Sequence, residues 1–150
     1  MKLDNRYLRH KIKEETFEKS SANQQLSILL TKFMVQHRAV GLAANQVGYN
    51  KRVFVMHVDG RFYSCFNPSI IESESMLSEI PEGCLSFPKE FLTVARPGTI
   101  VVQYYDYQGN VIKETLGGLA ARCFQHELDH LNGITMHQRL KENTDVLAES

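Results

Sequence analysis

The spacing of apolar positions predicts two helices, one towards each end of the chain. Across residues 22–37, leucine, phenylalanine and methionine recur every three or four residues, which is typical of an amphipathic helix that faces a core. Either Ser20 or Ser21 could cap that helix at its N terminus. A denser apolar run over residues 118–131 predicts a second helix, and Asn132-Gly133 is a helix stop signal.

Between the two helices, the pattern favours strands that fold back on one another. Residues 52–57 and 61–66 are rich in β-branched and aromatic side chains, and Asp59-Gly60 between them is a hairpin signal. The same arrangement recurs at residues 99–107 and 111–116, again around a turn. These runs predict antiparallel pairing.

The remaining segments carry weaker patterns. Residues 69–80 predict another extended stretch, whereas a glycine and two prolines in residues 81–88 predict an irregular loop. Residues 1–20 are polar and charged, which predicts an arm lying over the surface. Together the elements predict one α+β domain over residues 1–150. In it, a mostly antiparallel β-sheet packs around a central C-terminal helix, with the second amphipathic helix near the N terminus.

The C-terminal helix carries the clearest chemical signal, the sequence H-E-x-x-H formed by His126, Glu127 and His130. Residues i and i+4 of a helix share a face with their Cα atoms about 6 Å apart, so both imidazoles can bind one metal ion. Glu127 lies where it can act as a general base on a metal-bound water. Such pairs also occur on solvated helices, but here the neighbours are apolar, and buried imidazoles need partners. Asp129 could orient a ligand or anchor the helix.

Two other polar side chains have unusual neighbours. Cys84 follows a glycine in the predicted loop, and it could be a buried apolar thiol or the third ligand of the metal. Cys65 and Cys123 fit packing roles better. Gln46 is the only long polar side chain in a run of small residues, so it could lie at the surface or donate a hydrogen bond into a site.

Composition excludes several classes of function. The 17 basic and 17 acidic residues give a formal net charge of zero, which argues against broad electrostatic binding of nucleic acid. The N terminus shows no signal-peptide pattern, and no apolar run approaches transmembrane length. Three cysteines in that context favour a reducing compartment. We expect a cytoplasmic protein that binds neither a membrane nor a specific nucleic-acid sequence.

Three separated motifs together make the chain resemble the peptide deformylases. They are A-V-G-L-A-A-N-Q at residues 39–46, E-G-C-L-S at residues 82–86 and Q-H-E-L-D-H-L at residues 125–131. Their order and spacing fit as well, and the resemblance covers roughly residues 39–140. It implies metal-dependent hydrolysis of the N-formyl group from the initiator methionine of nascent polypeptides, with release of formate.

The resemblance assigns a role to each matching residue. The metal ligands would be Cys84, His126 and His130. The catalytic groups would be Glu127 as general base and acid, with Gln46 and the backbone N–H of Leu85 as the oxyanion hole. Gly41 and Gly83 would bind the peptide backbone, and the methionine pocket would be lined by Val40, Ile80, Leu119, Arg122 and Cys123. Glu82 and Arg96 would form an ion pair that supports the pocket wall.

The resemblance also suggests the cofactor and the partners. Mixed nitrogen and sulfur ligands suit zinc, whereas the family resemblance favours Fe²⁺, with Zn²⁺, Ni²⁺ or Co²⁺ as alternatives in isolated protein. N-formylmethionyl peptides would be the substrates of a monomer in a bacterial or phage-infected bacterial cell, with weak association with the ribosome. Residues 134–150 leave little room for the C-terminal helix of many bacterial members, so the chain is similar to trimmed phage-type members.

Three positions depart from the family pattern. Ala39 replaces a glycine, Phe91 replaces an arginine, and Arg122 replaces an apolar residue. We expect the guanidinium of Arg122 at the pocket rim and its stem inside.

Three alternatives to this function stay open. They are another H-E-x-x-H metallohydrolase, such as a peptidase with His137 as third ligand, a module with a structural metal, and a deformylase-like protein with another or no substrate.

Overall fold

The computed structural model describes residues 1–18 and 20–149, and none of the helices in those ranges is long and apolar enough to cross a membrane. The helices are α1 (Ser21–Gln36), α2 (Gly118–Leu131) and α3 (Met136–Glu149), and a short 3-10 helix covers Ala44–Gln46. The strands are β1 (Gly41–Ala43), β2 (Val53–Val58), β3 (Arg61–Ser73), β4 (Leu77–Cys84), β5 (Phe87–Pro97), β6 (Thr99–Tyr105) and β7 (Val111–Gly117). The fold is α+β with antiparallel pairing, which confirms the predicted class.

The strands form two sheets. The larger has the order β1-β2-β3-β6-β7, and the smaller is the β4–β5 hairpin. Asp59-Gly60 joins β2 to β3 with Val58 opposite Arg61, so the predicted two-residue turn is confirmed. The predicted pairing of β6 with β7 is also confirmed, with Thr99 opposite Gly117.

Strand β2 of the larger sheet is buried on both faces. Along β2, Phe54 and Met56 belong to a core shared with α2, whereas Val53 and Val55 belong to a core shared with α1. Successive side chains of a strand point to opposite faces, so a strand covered on both sides is apolar throughout. The sheet therefore lies between the two helices, and α2 is central.

Local signals determine where the two predicted helices begin and end. The side chain of Ser20 accepts a hydrogen bond from the backbone N–H of Asn23 at 3.1 Å, which caps α1. Helix α2 ends at Leu131, Asn132 is its C-cap residue, and Gly133 follows with a φ of 74°. The predicted bounds agree with the observed ones to within about one residue.

Two segments differ from the predictions. The prediction of an irregular loop is wrong for most of residues 81–88, which belong to the β4–β5 hairpin. Proline is compatible with these strands because both strands of a two-stranded sheet are edge strands. The prediction that residues 134–150 leave little room for a helix is wrong, since α3 lies there. Its start is stabilised by Thr135, whose hydroxyl accepts from Gln138 N at 3.3 Å. Helix α3 packs on β5, where the Asn143 side chain accepts from Ala95 N at 3.1 Å.

The N-terminal arm does more than cover the surface. Leu8 and Ile12 are buried, and Ile12 N donates to the carbonyl of Leu131 at 2.7 Å. Arg52 donates to the same carbonyl at 3.2 Å and to that of Ile12 at 3.0 Å. The arm thereby holds the C-terminal end of α2. Its few apolar residues are too widely spaced among charged ones to produce a periodic pattern.

Candidate metal centre and pocket

Cys84, at the end of β4, lies next to His126 and His130 of α2. Their candidate ligand atoms all lie within 4.8 Å of one another. His130 Nε2 is 3.1 Å from His126 Nε2 and 3.3 Å from Cys84 Sγ. Ligands bonded to one tetrahedral zinc ion at about 2.0–2.3 Å lie about 3.3–3.6 Å apart, so the two distances from His130 Nε2 are close to those around a single cation. A thiolate and two imidazoles suit borderline-soft divalent metals.

Each histidine is held by its surroundings. His126 Nδ1 donates to Glu82 Oε1 at 2.8 Å, which leaves Nε2 facing the ligand cluster. His130 is 1% exposed, and its Nδ1 has no hydrogen-bond partner in the described part of the chain. The side-chain amide of Asn45 donates to the carbonyl of His130 at 2.6 Å, which ties this turn of α2 to the 3-10 helix.

The two glutamates of the site have opposite electrostatic environments. Burial disfavours the charge of Glu82, but hydrogen bonds from His126 and Arg96 lower the pKa of Glu82 to about 2. Burial raises the pKa of Glu127 to about 7, and the nearby His126 acts in the opposite direction. Glu127 is 2% exposed, with Oε1 at 3.9 Å from His130 Nε2. A carboxyl group with a pKa near neutrality can accept a proton and return it.

The expected Glu82–Arg96 ion pair is present within a larger buried cluster. Arg96 Nε and Nη2 donate to the two carboxylate oxygens of Glu82 at 2.6 and 3.0 Å. Its Nη1 donates to Asp129 at 2.8 Å, and Arg139 donates to the other oxygen of Asp129 at 2.7 Å. Asp129 therefore anchors α2 to β5, which is one of the two roles that the sequence leaves open.

Arg122 turns its guanidinium into this cluster and not to the pocket rim. It donates to Glu82 Oε2, to the carbonyl of Val94 at 2.9 Å and to the carbonyl of Ser78. The residue is 5% exposed, although part of it still lines the pocket. The expectation of a rim position is wrong because these acceptors come from distant parts of the sequence.

The structure places Gln46 beside the ligand cluster and not at the surface. The residue is 1% exposed, and its Oε1 accepts from Ala43 N at 2.9 Å. Its Nε2 donates to Ser86 Oγ at 3.0 Å and lies 3.5 Å from Cys84 Sγ. The amide N–H₂ group therefore faces the ligand cluster. Sequence reasoning gave Ser86 no role of its own, although it is the last residue of the E-G-C-L-S motif, and here it accepts the hydrogen bond that orients Gln46.

A cavity of about 430 Å³ opens beside the ligand cluster. The residues expected to bind substrate all line it: Val40, Gly41, Ile80, Glu82, Gly83, Leu119, Arg122 and Cys123. The other predicted site residues that line it are Gln46, Cys84, Leu85, His126 and Glu127. His130 does not line it but contacts Cys84 and His126. Phe91 stands at the rim and is 74% exposed.

Gly41 allows the backbone of β1 to approach Glu127 closely. A Cβ atom at this position would lie 2.8 Å from Cys123 Sγ and 3.0 Å from both Cγ and Oε2 of Glu127. Cβ atoms in proteins essentially never come as close as the first of these distances. Glycine is therefore the residue that fits here without displacing a neighbour.

The structure also shows the backbone conformation around Ala39 and the contacts of His137. Among the described residues other than glycine, positive φ angles occur at Arg38, Asp59, Asn67 and Lys89, so Ala39 carries no strain of that kind. His137 lies 3.2 Å from Glu90 and packs its ring edge-on against Phe87. It is not part of the three-residue ligand cluster.

A buried H-E-x-x-H helix, with a third ligand group from a neighbouring hairpin and an adjacent apolar pocket, is the arrangement typical of metallohydrolases. The model of the polypeptide deformylase family matches residues 1–146. The chain belongs to this family, which confirms the resemblance carried by the three motifs.

Individual relatives agree with that assignment. A peptide deformylase of Thermotoga petrophila is 44% identical over 107 residues, which are 71% of this chain and 65% of the relative. The crystal structure of peptide deformylase from Thermotoga maritima matches with a TM-score of 0.86 at 35% identity, covering 92% of this chain and 94% of that one. A probable peptide deformylase from Synechococcus phage S-SSM7 matches with a TM-score of 0.86 at 36% identity, covering 92% and 98%. The chain thus spans slightly less than two thirds of the length of the first curated relatives that it matches.

Proposed function

We propose that this protein hydrolyses the N-formyl group of peptides that begin with formyl-methionine, releasing formate and a free amine. The observation that carries the proposal is the placement of Glu127 and Gln46 beside a three-ligand cluster that opens into an apolar pocket. Membership of the polypeptide deformylase family supports the same activity.

The proposed cofactor is one divalent cation held by Cys84, His126 and His130. The donor set and its spacing support a first-row transition metal. The resemblance to the family favours Fe²⁺ in the cell, with Zn²⁺, Ni²⁺ or Co²⁺ as substitutes. When bound, such an ion lowers the pKa of a water molecule towards neutrality and polarises the formyl carbonyl.

The chain's own groups then handle the proton and the developing charge. Glu127 accepts the proton of the attacking water, a role supported by its buried position and a pKa near 7. The side-chain amide of Gln46 and the backbone N–H of Leu85 donate to the oxygen that becomes negative. One preorganised donor of this kind typically contributes about 10²–10³ in rate. Glu127 finally returns its proton to the departing amine nitrogen.

The pocket supports recognition of the methionine side chain. Val40, Ile80 and Leu119 line it and are 51%, 40% and 48% exposed, so apolar surface is available for a ligand to bury. Full burial of a methionine side chain contributes about 1.5–3 kcal/mol. A formyl group carries only hydrogen on its carbonyl carbon, so the site can close tightly around it and exclude an acetyl methyl group.

Formate release from formyl-Met-Ala-Ser tests the proposal, with acetyl-Met-Ala-Ser as the matched substrate. The protein is purified without oxygen and loaded with Fe²⁺ or Ni²⁺, because thiolate ligands oxidise. We expect turnover of the formyl peptide and none of the acetyl peptide. Folded, metal-loaded protein that turns over neither peptide would refute the activity, and equal turnover of both would refute the proposed selectivity.

A further inference from the structure

The three candidate metal ligands come from two parts of the molecule. Cys84 lies in the β4–β5 hairpin, whereas His126 and His130 lie on α2. In the described ranges the hairpin forms a sheet of its own and does not pair with the five-stranded sheet. The position of Cys84 relative to the two histidines therefore depends on the contacts that α2 makes with the hairpin, together with the packing of α3 on β5.

Arg122, on α2, contacts both strands of the hairpin. Its Nη2 donates to the carbonyl of Ser78 on β4, and its Nη1 donates to the carbonyl of Val94 on β5 at 2.9 Å. These acceptors belong to the backbone, so the guanidinium holds the hairpin itself. Only 5% of Arg122 is exposed, and charge-assisted hydrogen bonds shielded from water are among the stronger polar contacts.

The same guanidinium holds the carboxylate that orients His126. Glu82 Oε1 accepts from His126 Nδ1 at 2.8 Å, and Oε2 accepts from both Arg122 Nη1 and Arg96 Nε. The side chain of Glu82 is 4% exposed, so loss of Arg122 would leave a buried carboxylate with one fewer donor. Glu82 could then rotate towards Arg96, and its hydrogen bond to His126 would weaken.

We propose that Arg122 is a positioning residue for the metal centre. It keeps Glu82 hydrogen-bonded to His126, and it holds β4, the strand that carries Cys84, in place against α2. Its guanidinium serves the ligands and not the peptide, although its position suggests a pocket residue. This inference rests on the proposed metal site and is independent of the identity of the acyl substrate.

Co²⁺ titration of three variants tests the inference, because its absorption spectrum reports thiolate ligation and coordination geometry. Arg122→Met keeps an unbranched side chain and removes all the donors. Arg122→Lys keeps the charge but lacks the planar fork that reaches several acceptors at once. Arg61→Met is the matched control, since Arg61 also pairs with a carboxylate, that of Glu114, but outside the pocket.

We expect wild type and Arg61→Met to bind Co²⁺ with equal affinity. Arg122→Met should bind about 10–100-fold more weakly, the usual effect of removing support behind a metal ligand, with a shifted spectrum. Arg122→Lys should fall between them, because one ammonium group can hold Glu82 but not both strands as well.

Thermal unfolding of the metal-free variants separates positioning from general stability. A lower melting temperature with unchanged Co²⁺ affinity and spectrum would show a purely structural role and overturn the inference. If Arg122→Met does not fold, Arg122→Lys decides in the same way, since unchanged binding there overturns the inference too. A wild type that binds no Co²⁺ would contradict the proposed metal site itself, and the inference would fail with it.

Discussion

Adding one methyl group at Gly41 should slow the proposed reaction while leaving the metal site intact. A Cβ atom there would lie 3.0 Å from Cγ and Oε2 of Glu127, whereas ordinary contacts begin at 3.4 Å. The carboxylate of Glu127 would have to move by the difference, which is about 0.4 Å. Glu127 and Cys123 are both buried on α2, so neither side chain can swing into solvent.

The size of the effect follows from that displacement. Moving a catalytic group by 1 Å can cost about 10²-fold in rate, so a shift of about 0.4 Å should lower kcat by about sixfold. Overpacking of a tight site should also lower the free energy of unfolding by about 1–3 kcal/mol. The affinity for Ni²⁺ should not change, because Cys84, His126 and His130 stay where they are.

The assay is formate release at saturating formyl-Met-Ala-Ser with equal metal content. Gly98→Ala is the matched control, because its Cβ would come within 2.9 Å of the flexible end of the exposed Glu74 side chain and otherwise make an ordinary contact with Ser78 at 3.8 Å. Cys123→Ala in the Gly41→Ala background should restore part of the lost stability but not kcat, since Glu127 still has to move. Unchanged kcat in Gly41→Ala would refute the reasoning about Glu127.

Three further predictions concern the ligands and the core. Cys84→Ser should abolish high-affinity Ni²⁺ binding in calorimetry while His137→Ala leaves it unchanged, and the opposite pattern would favour a peptidase-like ligand set. Chelation of the metal should leave the far-ultraviolet circular dichroism spectrum intact, because two apolar cores hold the sheet between α1 and α2, and unfolding on chelation would favour a structural metal. Burial raises the pKa of Tyr104 above its ordinary value of 10.0, so above that pH the unfolded chain loses a proton that the folded protein keeps, and stability falls as pH rises. Urea unfolding at pH 9 and 11 should show a smaller fall for Tyr104→Phe, and an equal fall would contradict the assignment.

The parts of the fold that could be predicted are those specified by local sequence. Helix α2 has its apolar run and its stop signal within a few residues, and the β2–β3 hairpin has its turn between two apolar runs. The β4–β5 hairpin could not be predicted from its sequence, because its prolines and glycine are typical of loops, although edge strands accept them. Helix α3 has a largely polar sequence, so its pattern does not reveal its packing on β5.

The same distinction applies to the site. The approach of Cys84 to the two histidines could be anticipated, since i, i+4 spacing fixes one pair and the motif supplies the third residue. The position of the Arg122 guanidinium could not, because its acceptors lie 28 to 44 residues away along the chain. Only the packing of the hairpin on α2 brings them together, and no local pattern encodes that contact.

Replacing Glu127 by glutamine tests the central claim most directly. Glutamine keeps the size and shape of the side chain but is uncharged and cannot take a proton from water. We expect Glu127→Gln to bind Ni²⁺ like the wild type and to release formate from formyl-Met-Ala-Ser about 10²–10⁴-fold more slowly. Undiminished formate release by the variant at full metal content would contradict the role of Glu127 as the general base.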